Sequence, residues 1–269
     1  MTRRHPLAVA VLVVALAATL IPLLYFLSVS LMGRSETGQG VLLPATPQWS
    51  NWSSVVTDSE LLRGILNSLI AAIGGGLLTL VLAVPAAYAI VRHRTGGGAL
   101  ASLVMSPWLL PPIVAVVPLF LLLRVLGLGD TLVGLTLVYA LANTPVAIWL
   151  LEGFVRRLPI EIEEAARVDG AGPVRLIALI VVPLLSPALV AIGVIVAVLN
   201  YNEFLLATFL THSDESQTLP VVLSLFYGER TPHYGKIAAA SLVGLVPLFA
   251  LAATLQRRLF DGLTAGAIR

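Results

Sequence analysis

Segment 158–183 reads LPIEIEEAARVDGAGPVRLIALIVVP and is the one stretch of dense charge in a chain of otherwise long apolar runs. Its three glutamates precede Arg167, a charge order that suits the dipole of a short helix. Gly170 and Gly172 then permit a sharp turn, and Pro173 suits the first position of a second helix. The pattern predicts a helix, a turn and a helix that lie outside a membrane, between two spanning helices.

Composition indicates the solvent of this chain. Of its 269 residues, 58% are hydrophobic, 11% are charged and none is cysteine. Soluble domains carry about 25% charged residues, so the deficit predicts a protein embedded in the lipid bilayer. The lack of cysteine excludes disulfides, thiolate metal sites and a thiol nucleophile. The formal net charge is only +2, and we expect no nucleic-acid partner.

Apolar runs long enough to cross a bilayer recur along the chain, since a spanning helix needs roughly 20 mainly apolar residues. We predict an all-α polytopic membrane protein with six transmembrane helices. The predicted spans are residues 6–32, 65–91, 100–123, 132–151, 184–210 and 237–255. The first run exceeds the apolar core of a signal peptide, about 7–15 residues, and is interpreted as a retained span. Residues 1–269 are expected to form a single transmembrane domain with a basic tail at 256–269.

Six spans place both termini on one side of the membrane, and the basic residues then divide unequally. Eleven lie on the side of the termini: Arg3, Arg4, Arg92, Arg94, Arg156, Arg157, Arg167, Arg175, Arg257, Arg258 and Arg269. Five lie on the other side: Arg34, Arg63, Arg124, Arg230 and Lys236. Cytoplasmic loops carry the excess of positive charge. Both termini and segment 158–183 are therefore predicted to be cytoplasmic, in a multi-pass protein of the cytoplasmic membrane.

Catalytic motifs are missing from the sequence. No stretch fits the phosphate-binding pattern Gly-x-x-x-x-Gly-Lys-Ser/Thr, and no Gly-x-Ser-x-Gly nucleophile elbow is present. The histidines are scattered over termini and loops: His5, His93, His212 and His233. We therefore predict a protein that is not an enzyme, with no catalytic residue, no metal site and no cofactor bound by this chain. The lack of a phosphate-binding loop also indicates that this chain does not hydrolyse ATP alone.

The fifth predicted span contains a polar run, Asn200-Tyr-Asn-Glu-Phe204. At roughly 1.5 Å per residue, Asn200 lies about 22 Å beyond Leu185, within a hydrocarbon core about 30 Å thick. An ionisable group there is costly and by default indicates function. Asn200, Asn202 and Glu203 are therefore candidates for a translocation path. The alternative is that Glu203 is an interfacial residue or pairs with a neighbouring helix, for example with Arg124.

Segment 158–183 is a second candidate site. Ile162, Ala165 and Ala166 give a small apolar face at i, i+3, i+4 spacing, flanked by Glu161 and Glu164. Such a face suits docking into a groove with a basic rim on another protein. The alternative is a solvated surface loop.

Residues 164–183 resemble the EAA loop of ABC importer permeases. In this sequence Glu164-Ala-Ala is followed by three residues, Gly170, nine residues and Ile180-Val-Val-Pro183. The family pattern is EAA, three residues, Gly, nine residues and Ile-x-Leu-Pro, and the one departure is Val182 in place of leucine.

Other segments are similar to the carbohydrate permeases of the maltose/glycerol-phosphate type. Asn202-Glu-Phe204 resembles their Trp-Asn-Glu-Phe, with Tyr201 in place of the tryptophan. Thr218-Leu-Pro-Val221 resembles their outer-loop sequence, and residues 262–267 resemble their C-terminal signature. The matches cover most of the chain.

The resemblance implies the permease subunit of an ATP-binding-cassette importer for a sugar or sugar derivative. Its partners would be a second, homologous permease in a heterodimer, two ATPase subunits that hold ATP and Mg, and an extracytoplasmic sugar-binding protein. Segment 158–183 would contain the coupling helix, between the fourth and fifth spans. The residues that couple to the ATPase would be Glu161, Glu164, Ala165, Ala166, Arg167, Asp169, Gly170 and Pro183. Within transporters the alternative is an importer permease for a non-sugar solute, and from other classes it is a membrane scaffold or enzyme.

Overall fold

The computed structural model describes residues 6–94, 111–227 and 232–264. Every regular element in these ranges is helical, as the sequence predicts. The helices are α1 (Pro6–Ser30), α2 (Ser50–Val56), α3 (Ser59–His93), α4 (Ile113–Val125), α5 (Leu132–Val155), α6 (Ile160–Val168), α7 (Pro173–Leu176), α8 (Val182–Leu184), α9 (Ser186–Tyr201), α10 (Leu205–Leu210), α11 (Leu219–Tyr227) and α12 (Tyr234–Thr264). A π-helix, Ile177–Val181, joins α7 to α8.

Within the described ranges, four helices are long and apolar enough to cross a bilayer, and they lie in α1, α3, α5 and α12. A fifth span results if the bent pair Pro173–Leu184 and Ser186–Tyr201 is counted as one. α4 is shorter and forms the end of the third predicted span, whose residues 100–110 lie outside the described residues. The predicted tail is helical as far as Thr264, and its last residues are likewise outside the described part of the chain.

The fifth predicted span, residues 184–210, is not one straight helix. The chain bends by 82° between Pro173–Leu184 and Ser186–Tyr201, and the helix breaks again before α10 begins. Pro187 has no N–H, and in a continuous helix its ring would clash with the carbonyl of Pro183. The bend at Leu185 avoids that clash. The apolar residues on both sides of the bend concealed the first break, whereas the second break coincides with the polar run at residues 200–204.

The chain divides into two compact units. One comprises residues Met1–Leu62 and Val222–Val246, and the other comprises Arg63–Val221 and Pro247–Arg269. All the candidate functional residues belong to the second unit. The expectation of a single transmembrane domain over the whole chain stays a prediction.

Polar contacts organise the first unit. Asn51 is buried, and its side-chain amide donates to the carbonyls of Ser30 and Met32, each at 3.0 Å. Lys236 forms an ion pair with Asp58 at 3.1 Å. Carbonyls at the C-terminal end of a helix have no N–H partner within that helix. The hydrogen bonds from the Asn51 side-chain amide supply partners for such carbonyls at the end of α1.

The second unit contains two apolar cores. The first joins the C-terminal part of α3 to α5, α6 and the bent segment α7–α9, and it includes Val84, Leu151, Ala166, Leu176 and Val196. The second joins α3, α4, α5 and α10. α6 is therefore packed against the end of the helix bundle where α3 and α5 finish.

Candidate functional site

Segment 158–183 forms the predicted helix, turn and helix. α6 ends in a Schellman motif, in which the Gly170 N–H donates to the Arg167 carbonyl at 3.0 Å and the Ala171 N–H donates to the Ala166 carbonyl at 2.9 Å. Gly170 has a φ of 80°, a conformation that residues with a side chain rarely adopt. The direction of the chain after α6 therefore depends on glycine at position 170.

The second half of the segment also follows the sequence pattern. Pro173 begins α7, where its missing N–H leaves no helical hydrogen bond unmade. Asp169 is exposed at the C-terminus of α6, and Pro183 is exposed in α8, just before the 82° bend.

The two sides of α6 have different environments. Glu163 and Ala166 are its buried residues, with Glu163 only 1% exposed. The exposed residues are Ile160, Glu161, Ile162, Glu164, Ala165, Arg167 and Val168. The three residues of the predicted apolar face are thus divided, since Ala166 packs in the core while Ile162 and Ala165 are exposed.

Glu163 is held by a buried polar network. Arg92 Nε donates to Glu163 Oε1 at 2.8 Å, and the Tyr88 hydroxyl donates to Oε2 at 2.7 Å. The Arg92 guanidinium also donates to the Leu158 carbonyl at 2.6 Å. Arg167 donates to the Tyr88 hydroxyl at 3.1 Å. Because both carboxylate oxygens have partners, the charge of Glu163 is tolerated inside the protein.

The joint role of Tyr88, Arg92 and Glu163 was not predicted from the sequence. Arg92 counted only toward the membrane topology, and Glu163 counted only as one acidic residue of a charged helix. One local signal pointed to the burial of Glu163. It lies three residues before Ala166, so the two residues share a side of α6. Arg167 is four residues beyond Glu163 and lies 4.0 Å from its Oε2, but Arg92, which bonds to the carboxylate directly, is 71 residues away and beyond the reach of local patterns.

The polar run in the fifth predicted span is bonded to two other helices. Asn200 is buried, and its amide nitrogen donates to the Ala72 carbonyl of α3 at 3.3 Å. Its side-chain oxygen accepts a hydrogen bond from Asn143 of α5 at 2.7 Å. Asn200 therefore links α9 to both α3 and α5.

Glu203 caps the helix that follows the break. Its Oε1 accepts from the Leu206 N–H at 2.8 Å, and its Oε2 accepts from the Ala207 N–H at 3.0 Å and the Tyr139 hydroxyl at 3.1 Å. These bonds satisfy N-terminal amides of α10 that have no partner within the helix. The neighbouring-helix partner is thus Tyr139, and no ion pair between Arg124 and Glu203 occurs in the described structure.

Asn202 differs from the other two candidate path residues. Its side chain is exposed and donates to the Val198 carbonyl of its own helix at 2.8 Å. Asn200 is buried and Glu203 is half-buried, and both are bonded to other parts of the chain. The assignment of these three residues to a translocation path stays a prediction.

Asp130 organises a loop at the opposite end of α5 from α6. Its Oδ1 accepts from the backbone N–H of His212 at 2.7 Å, the N–H of Ser213 at 3.1 Å and the hydroxyl of Ser216. Burial raises the pKa of the Asp130 carboxyl, but the hydrogen bonds from Ser216, His212 and Ser213 outweigh it and lower the pKa to about 2. Asp130 belongs to no motif that the sequence revealed, and its role was not predicted.

The same loop is tied to the start of α3. The Asn67 amide donates to the carbonyls of Asp214 and Gln217, at 3.2 and 2.8 Å. The Ser68 hydroxyl accepts from the Leu219 N–H at 2.8 Å. Residues 211–219 are therefore held from two sides.

Known proteins are similar to this chain over most of its length. Residues 75–261 match the family described as binding-protein-dependent transport system inner membrane component. The trehalose transport system permease protein SugB of Mycobacterium tuberculosis is 37% identical, over 93% of this chain and 92% of the relative. The melibiose/raffinose/stachyose import permease protein MelC of Bacillus subtilis is 30% identical, over 94% of this chain and 92% of the relative.

A solved structure has a similar fold. It is a chain from a bacterial ABC transporter involved in the import of the acidic polysaccharide alginate. The TM-score is 0.76 at 23% sequence identity, and the match covers 96% of this chain and 98% of that chain. At this identity the likeness concerns the fold alone.

Proposed function

The chain belongs to the family of binding-protein-dependent transport system inner membrane components, and from this membership we propose that it is the permease subunit of an ATP-binding-cassette importer for a sugar or sugar derivative. Relatives named for trehalose and melibiose import support a sugar as the cargo. The chain is a multi-pass membrane protein, and its relatives are transport permeases rather than enzymes.

We propose six transmembrane helices with both termini in the cytoplasm. The spans in α1, α3, α5 and α12, the bent pair and the apolar α4 support this count. Eleven of the sixteen basic residues then lie on the cytoplasmic side, in accord with the excess of positive charge in cytoplasmic loops. In this arrangement α6 lies in the cytoplasm, between the fourth and fifth spans.

The observation that carries the proposal is the exposed side of α6. Glu161, Glu164 and Ala165 are exposed, and Val168 is 87% exposed, although α6 is firmly attached on its other side. A short helix with an apolar centre and acidic rim suits a groove with basic edges on an ATPase subunit. Glu164 would pair with a basic residue there, and Ala165 would permit close approach. Ala166 is buried within this chain, so its role is to seat α6 rather than to contact the ATPase.

The remaining candidate residues support the shape of this docking element. Gly170 supplies the left-handed turn, and Arg167 and Asp169 occupy its C-terminal end. Pro183 precedes the 82° bend that starts the fifth span. ATP and Mg would be held by two partner ATPase subunits, with no cofactor bound by this chain.

Two further partners complete the proposed importer. A second, homologous permease would form a heterodimer with this chain, and an extracytoplasmic binding protein would deliver the sugar. Asn202, with its exposed amide, is the candidate of the polar run best placed to contact cargo, while Asn200 and Glu203 hold the surrounding helices.

Reconstitution tests this proposal. The permease would be purified with its ATPase, partner permease and binding protein and placed in lipid vesicles, and ATP-dependent uptake of labelled trehalose, maltose and melibiose would be measured. We expect uptake of at least one sugar that requires the binding protein. If the vesicles take up no sugar, and instead take up a different class of solute delivered by the binding protein, the cargo assignment is wrong.

A charge reversal tests the docking surface. Glu164→Lys is expected to abolish copurification of the ATPase, because it places a cation opposite a basic rim. The matched control is Glu215→Lys, which reverses an exposed glutamate in the loop after α10. If Glu164→Lys copurifies as much ATPase as Glu215→Lys does, docking through α6 is contradicted.

A further inference from the structure

The ion pair between Arg92 and Glu163 joins α6 to the last turn of α3. The Glu163 side chain is 2% exposed and that of Arg92 is 12% exposed. One carboxylate oxygen accepts from Arg92 and the other from Tyr88, which also belongs to α3. Both bonds to the Glu163 carboxylate therefore come from one transmembrane helix.

Arg92 contacts the α6 region at two points. Besides Glu163 in the middle of α6, its guanidinium donates to the Leu158 carbonyl, immediately before the helix begins. A planar guanidinium holds two acceptors in a fixed relative geometry, unlike a flexible ammonium group. Arg92 thus restrains both the position and the direction of α6 relative to α3.

Apolar packing gives α6 little additional attachment. Ala166 is the one buried apolar residue of this helix, and it contributes a single methyl group. The larger side chains Ile160, Ile162 and Val168 are exposed. The polar network is consequently the main side-chain attachment between α6 and α3.

A buried ion pair is well suited to stay intact when the helices that it joins are displaced. Separating its members leaves an uncompensated charge in a poorly solvated site, which is strongly unfavourable. Separation costs less in a pair such as Glu152 and Arg156, because the arginine side chain is 62% exposed and water can solvate its charge. A buried pair therefore transmits the displacement of one helix to another better than a partly exposed pair does.

We infer that Arg92 and Glu163 are positioning residues that make α3 follow α6 when the ATPase subunits close, an inference that rests on the proposed function. α6 and the C-terminal part of α3 then move as one body. The displacement of the docking helix reaches a membrane span directly, in addition to any path through the chain segment α7–α9.

Spin labelling of the whole importer tests this inference. The chain has no native cysteine, so pairs of introduced cysteines in it can be labelled selectively. Suitable positions are Ile160, the first residue of α6, and Val81 on α3, which are both exposed. The distance between the two labels would be measured by pulsed electron paramagnetic resonance, before and after trapping with MgATP and orthovanadate. Copurification of the ATPase and its ATP hydrolysis would be measured on the same samples.

The two labels should keep the same distance distribution in both states of the parent complex. In the double variant Arg92→Gln/Glu163→Gln, which removes both charges together, the distribution should shift or broaden on trapping while ATP hydrolysis persists. The matched control is Glu152→Gln/Arg156→Gln, an ion pair within one turn at the end of α5 whose arginine is exposed, and it should behave as the parent does.

Two results would overturn the inference. One is a change of distance in the parent complex on trapping, because the helices would then not move together. The other is a double variant whose distances match those of the parent in both states. If the double variant does not assemble, Arg92→Lys replaces it in the experiment. Lysine keeps the positive charge but lacks the planar guanidinium that bonds Glu163 and Leu158 together. Distances in Arg92→Lys that match those of the parent in both states would also overturn the inference.

Failure of the proposed function is distinguishable from these results. If the parent chain copurifies no ATPase, or the purified complex hydrolyses no ATP, the proposed function is wrong. The inference about Arg92 and Glu163 is overturned only in a complex that does hydrolyse ATP.

Discussion

Gly75 and Asn200 approach each other so closely that a β-carbon at position 75 would lie 2.8 Å from the Asn200 amide nitrogen. The same β-carbon would lie 3.2 Å from Cβ of Tyr139. The amide of Asn200 is held by Ala72 on α3 and by Asn143 on α5. Small residues permit such close approach of helices in membranes, and here the glycine also leaves room for a buried amide.

Gly75→Ala is expected to destabilise the permease by about 1–3 kcal/mol, because the added methyl group displaces Asn200 from its partners. Thermal unfolding of the purified protein in detergent would measure the loss. The matched control is Gly153→Ala in α5, where a β-carbon would meet no atom within 4 Å. That variant should be neutral or stabilising by up to about 1 kcal/mol, because alanine favours a helix. Equal destabilisation by both variants would contradict the role assigned to the Asn200 contact.

Glu203→Ala is expected to lower stability by about 0.5–2 kcal/mol, the usual effect of losing a helix cap. Sugar uptake in vesicles should fall as well, because the start of α10 and its bond to Tyr139 are lost. Glu203→Gln should have a smaller effect, since its amide oxygen still accepts one backbone hydrogen bond. The control is a double-mutant cycle with Tyr139→Phe. If the stability losses of Glu203→Ala and Tyr139→Phe simply add in the double variant, the two side chains do not act together.

Asp130→Asn is expected to destabilise the permease at neutral pH, and the difference should narrow as the pH falls from about 4 toward 2. The pKa of Asp130 is lowered from 3.8 to about 2, so its stabilising effect is complete above pH 3.8 and is lost as the pH falls through 2. Unfolding measured across this pH range would reveal the convergence. Asp214→Asn, which changes an exposed carboxylate in the same loop, is the matched control. A constant difference between Asp130→Asn and the parent would argue against the hydrogen-bonded carboxylate as its cause.

Gly170→Val is expected to abolish uptake while leaving the protein inserted in the membrane. A φ of 80° costs about 1–3 kcal/mol for a residue with a side chain, and a β-branched residue tolerates it least. Gly170→Asn is the informative comparison, because asparagine enters this region more readily and should retain part of the uptake. The nearby Gly172 has an ordinary negative φ, and Gly172→Ala should have little effect. Comparable uptake by all three variants would contradict the dependence on the turn at position 170.

The sequence predicted those features that depend on local backbone preferences. The turn at Gly170 and the helix start at Pro173 follow from which φ values these two residues allow, so neighbouring residues suffice to place them. The main apolar helices follow from length and composition in the same way. Pro183 and Pro187, four residues apart, were an available signal for the bend at Leu185, but the long apolar run around them favoured a straight span.

The remaining features depend on contacts between distant parts of the chain. The pairing of Arg92 with Glu163 requires the end of α3 to pack beneath α6, and no periodicity encodes that arrangement. Asp130 is similar, because its partners His212 and Ser216 are more than 80 residues away. Glu203 was recognised as unusual from its place in an apolar run, but its role as a helix cap depended on a break that only the fold introduces.

The Schellman motif at Gly170 has a consequence for the speed of assembly. Hydrogen bonds to the Ala166 and Arg167 carbonyls close the end of α6 within this chain, so the helix exists in full before any partner arrives. A preorganised helix loses little conformational entropy when it is bound. In the proposed importer, its association with an ATPase should therefore behave as the collision of two rigid surfaces, with a rate set by diffusion and charge rather than by folding at the interface.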